Sequence, residues 1–342
     1  MTLLWNKLKT TTRPIVLYGM GDGADKMISA LRDIGKTPAA VFASDEFVRG
    51  QSFRGMRVLT FAEAKMLYPD MIVAICFGTQ KKEVLDNIKR IAGECEVITP
   101  DLPVIDGGVF DIDFCKANKD KLEFIYNNLA DDLSKHTFEN VLRVKLSGDI
   151  NYLFDCETDP LCPYRTFLNL GDNETFVDLG AYRGDTVSEF LSQVNSYDKI
   201  YAVEPDIKNF AKLETACGNV ANCINAAASD SVGEVFFSIE RGRSSHVSKT
   251  GTPIPTITVD SIVENNFATF IKLDVEGNEI PALNGARHTI GACKPKLCVA
   301  AYHRFDDIIN IPLHILNMRP DYKMYLRHFP YIPSWDTNYY FV

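Results

Sequence analysis

An α/β protein with two domains of one plan is predicted by three observations. At Ile15-Val-Leu-Tyr18 and again at Thr175-Phe-Val-Asp178, an apolar run leads into a glycine-rich turn and then a helix-like segment. Each is followed at about the right distance by a second apolar run that ends beside an acid, Asp45 in the first half and Glu204 in the second. The 342 residues are also enough for two domains. Strand, glycine turn, helix and strand in this order build parallel sheets of Rossmann-like type. The predicted division is a Rossmann-like domain over residues 1–110, a helical connector over 111–163 and a second Rossmann-like domain over 164–342.

In the first half, Gly19, Gly21 and Ala24 fit the pattern Gly-x-Gly-x-x-Gly/Ala, and Asp25 to Ile34 follows with helical character. Ala39 to Ala43 reads as the next strand, Met71 to Phe77 as a buried parallel strand, and Lys82 to Ile91 as the helix after it. By itself the glycine pattern reads as NAD binding. The stretches Gly50-x-x-Phe-x-Gly55 and Val58-Leu-Thr resemble smaller Rossmann-like modules that precede sugar-modifying domains. Dinucleotide binding, a nucleotide-sugar or substrate-docking role and a purely structural module all stay open, and nothing nearby supplies a hydride-transfer site. Between the halves, Leu122, Ile125, Tyr126 and Leu129 fall on one helical face, a spacing usual for core packing.

The second half carries the stronger signal. Its turn reads Asp178-x-Gly180-x-x-x-Gly184 rather than Gly-x-Gly-x-x-Gly, and Tyr182 and Arg183 crowd the place where a helix N-terminus would receive a pyrophosphate. That spacing favours S-adenosylmethionine, which has no phosphate; an ordinary βαβ turn is the plain alternative. Glu204 falls where an acid can accept both ribose hydroxyls. A later apolar run, Phe270-Ile-Lys-Leu-Asp-Val-Glu-Gly277, places Asp274 and Glu276 at a strand's carboxyl end, where open α/β sheets bind ligands. These acids can accept substrate hydroxyls, take a proton or help hold a divalent metal, and the sequence shows no third ligand. A helix N-cap with an acid in the first turn is the plain alternative. His303 follows the apolar run Leu297 to Tyr302, just past another strand end, and imidazole suits an alcohol's proton near neutral pH.

Asn225-Ala-Ala-Ala-Ser-Asp230, Val259-Asp-Ser261, Ile271-Lys-Leu-Asp-Val-Glu-Gly277, Ala282-Leu-Asn-Gly-Ala286, Ala301-Tyr-His-Arg304 and Tyr325-Leu-Arg-His328 stand in the order seen in the FkbM family. Residues 164–342 resemble that family of S-adenosylmethionine-dependent O-methyltransferases. The resemblance implies a class I methyltransferase sheet flanked by helices, with Asp178, Gly180 and Gly184 lining the methionine and ribose end of the cofactor and Glu204 holding the ribose. Asp230 would meet the adenine amino group, although Ser-Asp-Ser-Val-Gly is equally a turn sequence. Asp274, Glu276 and His303 would be catalytic. Many family members carry an acid shortly before this His, where Ala300 and Ala301 stand here, which leaves its orienting partner unassigned. The resemblance alone gives the acceptor, a hydroxyl of a carbohydrate or glycosylated small molecule. Two alternatives stay beside it: an NAD- or nucleotide-sugar-dependent enzyme working through the first domain, and a non-catalytic S-adenosylmethionine-binding protein.

A net charge of −9 argues against a general nucleic-acid binder, which needs clustered Lys and Arg. The one basic loop, Arg241 to Lys249, reads first as solvated. No apolar run approaches the ~18 residues of a membrane span, and residues 1–12 carry lysines without a signal-peptide core, so a cytoplasmic protein is expected. Nine cysteines without a Cys-x-x-Cys pair fit reduced thiols rather than zinc or a disulfide framework. The oligomeric state is not legible in the sequence.

Overall fold

The computed structural model describes residues 3–102, 108–239, 245–248 and 252–342. The chain divides into two compact units, each drawn from three segments. The first takes residues up to Leu122, Lys135–Thr158 and His328–Asp336; the second takes Glu123–Ser134, Asp159–Arg327 and Thr337–Val342. The stretch expected as a connector is therefore shared between both units.

The first unit holds six strands, β1 (Ile15–Tyr18), β2 (Ala40–Phe42), β3 (Ser52–Phe53), β4 (Met56–Leu59), β5 (Ile72–Ile75) and β6 (Glu96–Ile98), in the order β3-β4-β2-β1-β5-β6. All pairings are parallel except β3 with β4. That hairpin turns through Arg54 and Gly55, both left-handed (φ +51° and +80°), the conformation a two-residue hairpin turn requires. Helices α1 (Leu4–Thr10), α2 (Asp22–Asp33), α3 (Phe61–Leu67) and α4 (Lys82–Glu94) supply the layers. Because strand side chains alternate, Ile15 and Leu17 join Leu4, Leu8, Met27 and Leu31 in one core. Val16 and Tyr18 join Phe61, Ala64, Leu85 and Ile88 in the other. The sheet is thus covered on both faces, with its strand order reversing between β1 and β5.

Helices α5 (Ile112–Ala117), α6 (Lys119–Asn128), α7 (Asp132–Ser147) and α8 (Asn151–Cys156) follow. The stripe read from the sequence is the inward face of α6 and its end: Ile125 and Leu129 are buried, Leu122 and Tyr126 half-buried.

The second unit is built on β7 (Thr175–Leu179), β8 (Lys199–Val203) and β9 (Asn222–Ile224), then β10 (Ala227–Ala228), β11 (Gly233–Ile239), β12 (Ser245–Ser248) and β13 (Thr252–Ile257). It closes with β14 (Phe270–Leu273), β15 (Lys296–Ala300), β16 (Met324–His328) and β17 (Thr337–Phe341). Seven strands form one sheet in the order β16-β17-β15-β14-β7-β8-β9, and β10 to β13 form a small second sheet. From β15 to β9 the pairing is parallel, while β17 enters antiparallel beside β15. Strand β7 is buried along its whole length, as expected of a parallel strand covered on both faces. Phe176 stacks between Phe190 and Phe270, at ring distances of 4.6 and 4.9 Å. The helices are α9 (Asp185–Gln193), α10 (Ile207–Cys217), α11 (Val259–Ile262), α12 (Glu279–Asn284), α13 (Arg287–Cys293) and α14 (Asp307–Met318). Of the basic stretch Arg241 to Lys249, residues 241–244 and 249 lie outside the described residues; the part between is strand β12, where a loop was expected. Among the described residues no helix is long and apolar enough to cross a membrane.

Candidate active site

In the second unit, the strand order reverses between β7 and β14, and parallel sheets open a crevice at the carboxyl ends of such strands. A cleft of about 270 Å³ lies there. Its walls come from the β7–α9 turn (Gly180, Tyr182, Asp185), the end of β8 (Glu204, Asp206), β10 (Ala227, Ala228) and the segments after β14 and β15 (Asp274, Glu276, Tyr302).

The turn after β7 is shaped by two close approaches. Gly180 is left-handed (φ +84°), and a Cβ on it would stand 1.9 Å from the carbonyl oxygen of Asp274, so only glycine lets the ends of β7 and β14 meet. Gly184 (φ +91°) precedes α9, and a Cβ there would stand 2.3 Å from Cys217 Sγ on α10. Gly184 thus serves helix packing and does not line the cleft. Asp178 does not line it either. It is fully buried in β7, 3.9 Å from the Lys272 ammonium, and among the described residues neither carboxylate oxygen has a hydrogen-bond partner. Burial pushes its carboxyl up to about 6, against the pull of Lys272. Direct contact, expected for all three residues of the turn, is open to Gly180 alone.

Glu204 does face the cleft, and its carboxylate is held from both sides. Oε2 accepts from Tyr182 N and Oε1 from Asp206 N, each at 2.9 Å. Burial pushes this carboxyl up to about 7, while those two N–H groups oppose the shift. Asp206 in turn caps α10 by accepting from Lys208 N and Asn209 N. Asp230, expected to meet the adenine amino group, is exposed, accepts from the Ser231 hydroxyl and stands outside the cleft wall, which ends at Ala228 on that side.

Asp274 and Glu276 meet at the opposite wall. Glu276 is left-handed (φ +52°), as is Tyr182 (φ +49°), and both line the cleft. Left-handed non-glycine residues persist only where surroundings over-determine them, and they concentrate at functional sites. Asp274 Oδ1 accepts from the Tyr302 hydroxyl at 3.1 Å, and its Oδ2 lies 3.6 Å from Lys272 Nζ. Burial alone would raise the Asp274 carboxyl, but Lys272 and His303 hold it below its ordinary value. Lys272 is raised in return: burial opposes its charge, and Asp274 and Asp178 overcome that. The Glu276 carboxyl is pushed up to about 7 by burial, against the pull of His303.

His303 is brought to both acids, as the strand ends suggested, but from behind. Its Nε2 lies 3.4 Å from Asp274 Oδ1 and 3.6 Å from Glu276 Oε2, and the ring is buried and absent from the cleft wall. Its Nδ1 lies 2.8 Å from Oε1 of the buried Glu279. The orienting acid that Ala300 and Ala301 fail to supply therefore comes from the start of α12. Asp274 and Glu276, read from the sequence as acceptors of hydroxyls or a proton or as help in holding a metal, converge on an imidazole. Glu279, His303 and Asp307 place donor atoms within 4.8 Å of one another; by distance Glu279 and His303 form an ion pair, while among the described residues His303 Nδ1 and Glu279 Oε2 have no aligned hydrogen-bond partner.

Lys272, Tyr302 and Glu279 were not singled out from the sequence. A lysine inside an otherwise apolar strand was the available signal for the first. Around the cleft the described residues bring five carboxylates (Asp185, Glu204, Asp206, Asp274, Glu276) against one ammonium, Lys272. The site suits a cationic or hydroxyl-rich ligand and repels phosphate.

The crystal structure of methyltransferase FkbM from Methylobacillus flagellatus KT shares this fold, with a TM-score of 0.71 over 97% of this chain and 90% of that one at 23% identity. Two further solved structures align over about half of the chain. Precorrin-6y C5,15-methyltransferase from Geobacter metallireducens GS-15 does so at 11% identity and a TM-score of 0.34, covering 52% of this chain and 83% of that one. Aeropyrum pernix fibrillarin, in complex with natively bound S-adenosyl-L-methionine, does so at 12% and 0.30, covering 50% and 67%. No curated protein gives a significant match. The family model of the methyltransferase FkbM domain matches residues 178–332, a span that contains every residue of the cleft wall. Residues 178–332 thus carry a methyltransferase FkbM domain.

Proposed function

We propose that the chain moves a methyl group from S-adenosylmethionine to a hydroxyl of a carbohydrate or glycosylated small molecule. The observation that carries this reading is Glu204: a buried carboxylate fixed by two backbone N–H groups at the rim of a phosphate-repelling cleft, with lone pairs left to accept ribose hydroxyls. The donor set fits a sulfonium cofactor, because carboxylates dominate the wall and α9 begins with Asp185. When bound, the sulfonium supplies a methyl to an acceptor oxygen; sulfur keeps the electron pair of the broken bond, and the acceptor loses one proton.

The chain's own residues then have simple tasks. Gly180 and Glu204 hold the cofactor side, while Asp178 and Gly184 act by keeping the turn in place. Asp274 and Glu276 accept hydrogen bonds from the acceptor's hydroxyls, with Tyr302 and Lys272 fixing Asp274 as an ionised acceptor. His303 completes this catalytic set from beneath. In the first unit, α2 carries Asp22 and Asp25 in its first turn, which disfavours a pyrophosphate there, and Gly19 lies against Phe77. Chemistry is assigned to the second unit, and docking or support to the first.

The reading is tested by assaying S-adenosylhomocysteine release with monosaccharides, methyl glycosides and nucleotide sugars. Acceptor-dependent release that disappears in Gly180→Leu supports it. Tight cofactor binding with no release to any hydroxyl would favour a binding protein instead.

A further inference from the structure

His303 cannot reach a substrate in the cleft without passing Asp274 and Glu276, because it is 2% exposed and its Nε2 faces both carboxylates. Its other nitrogen faces Glu279, itself 1% exposed. Resting on the methyl-transfer reading, the geometry points to a division of labour: Glu276 takes the acceptor's proton, and Glu279 is the positioning residue that holds His303 as a permanent buried cation beneath it.

A neutral imidazole has one N–H and one lone pair. With carboxylate oxygens beside both nitrogens, the neutral form would set a lone pair against an anion, whereas the doubly protonated ring turns positive charge toward the carboxylates on both sides, as ion pairs rather than aligned hydrogen bonds at Nδ1. The charged groups around the ring are Glu279 on α12, Asp274 and Glu276 after β14, and Asp307 at the start of α14. Arg304 lies next in the chain, with its Nε donating to Gly277 O. Burial alone would lower the imidazole, but Glu279, Glu276 and Asp274 together hold it up to about 10. At neutral pH such a ring has no lone pair with which to act as a base.

Glu279 also fixes the turn that presents Glu276. Its Oε1 accepts from Val275 N at 3.1 Å and Gly277 N at 3.3 Å, the residues on either side of the left-handed Glu276. One carboxylate therefore clamps the imidazole and the strained residue above it. Glu276 lines the cleft with 43% of its side chain exposed, so a proton taken from the acceptor's hydroxyl, one for each methyl moved, passes on to solvent.

The test is ¹⁵N NMR of histidine-labelled protein, with His303→Asn used to assign the His303 signals among the six histidines. Wild-type His303 should keep both nitrogens protonated from pH 6 to 8.5, and Glu279→Gln should bring its titration down into that range. With the best methyl glycoside of the acceptor panel, Glu276→Gln should lose about 10²–10⁴-fold in kcat and lose the acidic limb of the pH profile, while keeping its affinity for S-adenosylmethionine. A neutral His303 ring in the wild type at pH 7.5 would overturn the assignment, and so would a Glu276→Gln variant that keeps its acidic limb. If Glu279→Gln does not fold, the wild-type ring still decides. Absence of S-adenosylmethionine binding in the wild type would remove the methyl-transfer reading while leaving the His303 result standing.

Discussion

Replacing Glu204 by Gln keeps the side chain's shape and removes one of two matched acceptors. In the native protein each oxygen takes a backbone N–H at 2.9 Å, from Tyr182 and from Asp206. The amide must turn an NH₂ group toward one of those donors, or toward a ribose hydroxyl that needs an acceptor. A hydrogen bond to a charged group is worth about 1.5–3 kcal/mol. Losing one such bond to the cofactor should weaken S-adenosylmethionine binding by about 10- to 100-fold, at 1.4 kcal/mol per tenfold. The pH dependence adds a second signature. With this carboxyl pushed up to about 7 by burial, the ionised form that accepts two hydroxyls is lost as pH falls through that value. Wild-type affinity should therefore drop between pH 8 and 6, and that of Glu204→Gln should stay flat. Equilibrium dialysis with labelled cofactor across this range measures both, with thermal unfolding as the check on folding. A Gln variant that binds within about twofold of wild type, or a wild type without pH dependence, refutes the assignment of Glu204.

Gly180→Ala places a Cβ 1.9 Å from a backbone oxygen in a left-handed residue; it should abolish cofactor binding beyond the ~1–2 kcal/mol of conformational strain, as read by dialysis and denaturant unfolding. Gly184→Ala meets Cys217 Sγ at 2.3 Å instead, so adding Cys217→Ala should restore part of the lost stability and leave the left-handed strain. Asp230→Ala should leave the dissociation constant within about twofold, because the side chain is exposed and off the cleft wall. The folded values of Asp178 (about 6), Glu204 and Glu276 (each about 7) lie above their ordinary ones, so their contribution is present at low pH and lost as pH rises. Urea unfolding of the cofactor-free protein should show a decline between pH 4 and 7. The His303 contribution, full below its ordinary 6.5, should disappear only as pH passes about 10.

What could be read in the chain was whatever backbone geometry imposes locally. Gly180 announces a turn that no Cβ permits, and Glu204 follows at the end of the next parallel strand, so both were legible from spacing. Asp274 and Glu276 were legible for the same reason, since a strand that ends in acids at a sheet's carboxyl edge must offer them to the crevice. Glu279 was hidden because its partner His303 lies 24 residues on and across the neighbouring strand β15, a pairing that only the sheet's register creates. Lys272 passed as part of an apolar strand, although an ammonium there requires the carboxylates of Asp178 and Asp274 beside it. The return of His328–Asp336 to the first unit was likewise beyond local pattern. It rests on long-range pairings such as Thr79 with Ile332, and on Trp335 packed over Gly78 where any side chain would clash.

Calorimetric titration of the purified protein with S-adenosylmethionine, S-adenosylhomocysteine and NAD tests the assignment of the cleft most directly. Binding of both sulfur cofactors, abolished in Gly180→Leu and untouched in Gly21→Leu, with no heat from NAD, is the expected result. NAD binding that is lost in Gly21→Leu, with no response to either sulfur cofactor, would contradict it and move the chemistry to the first unit.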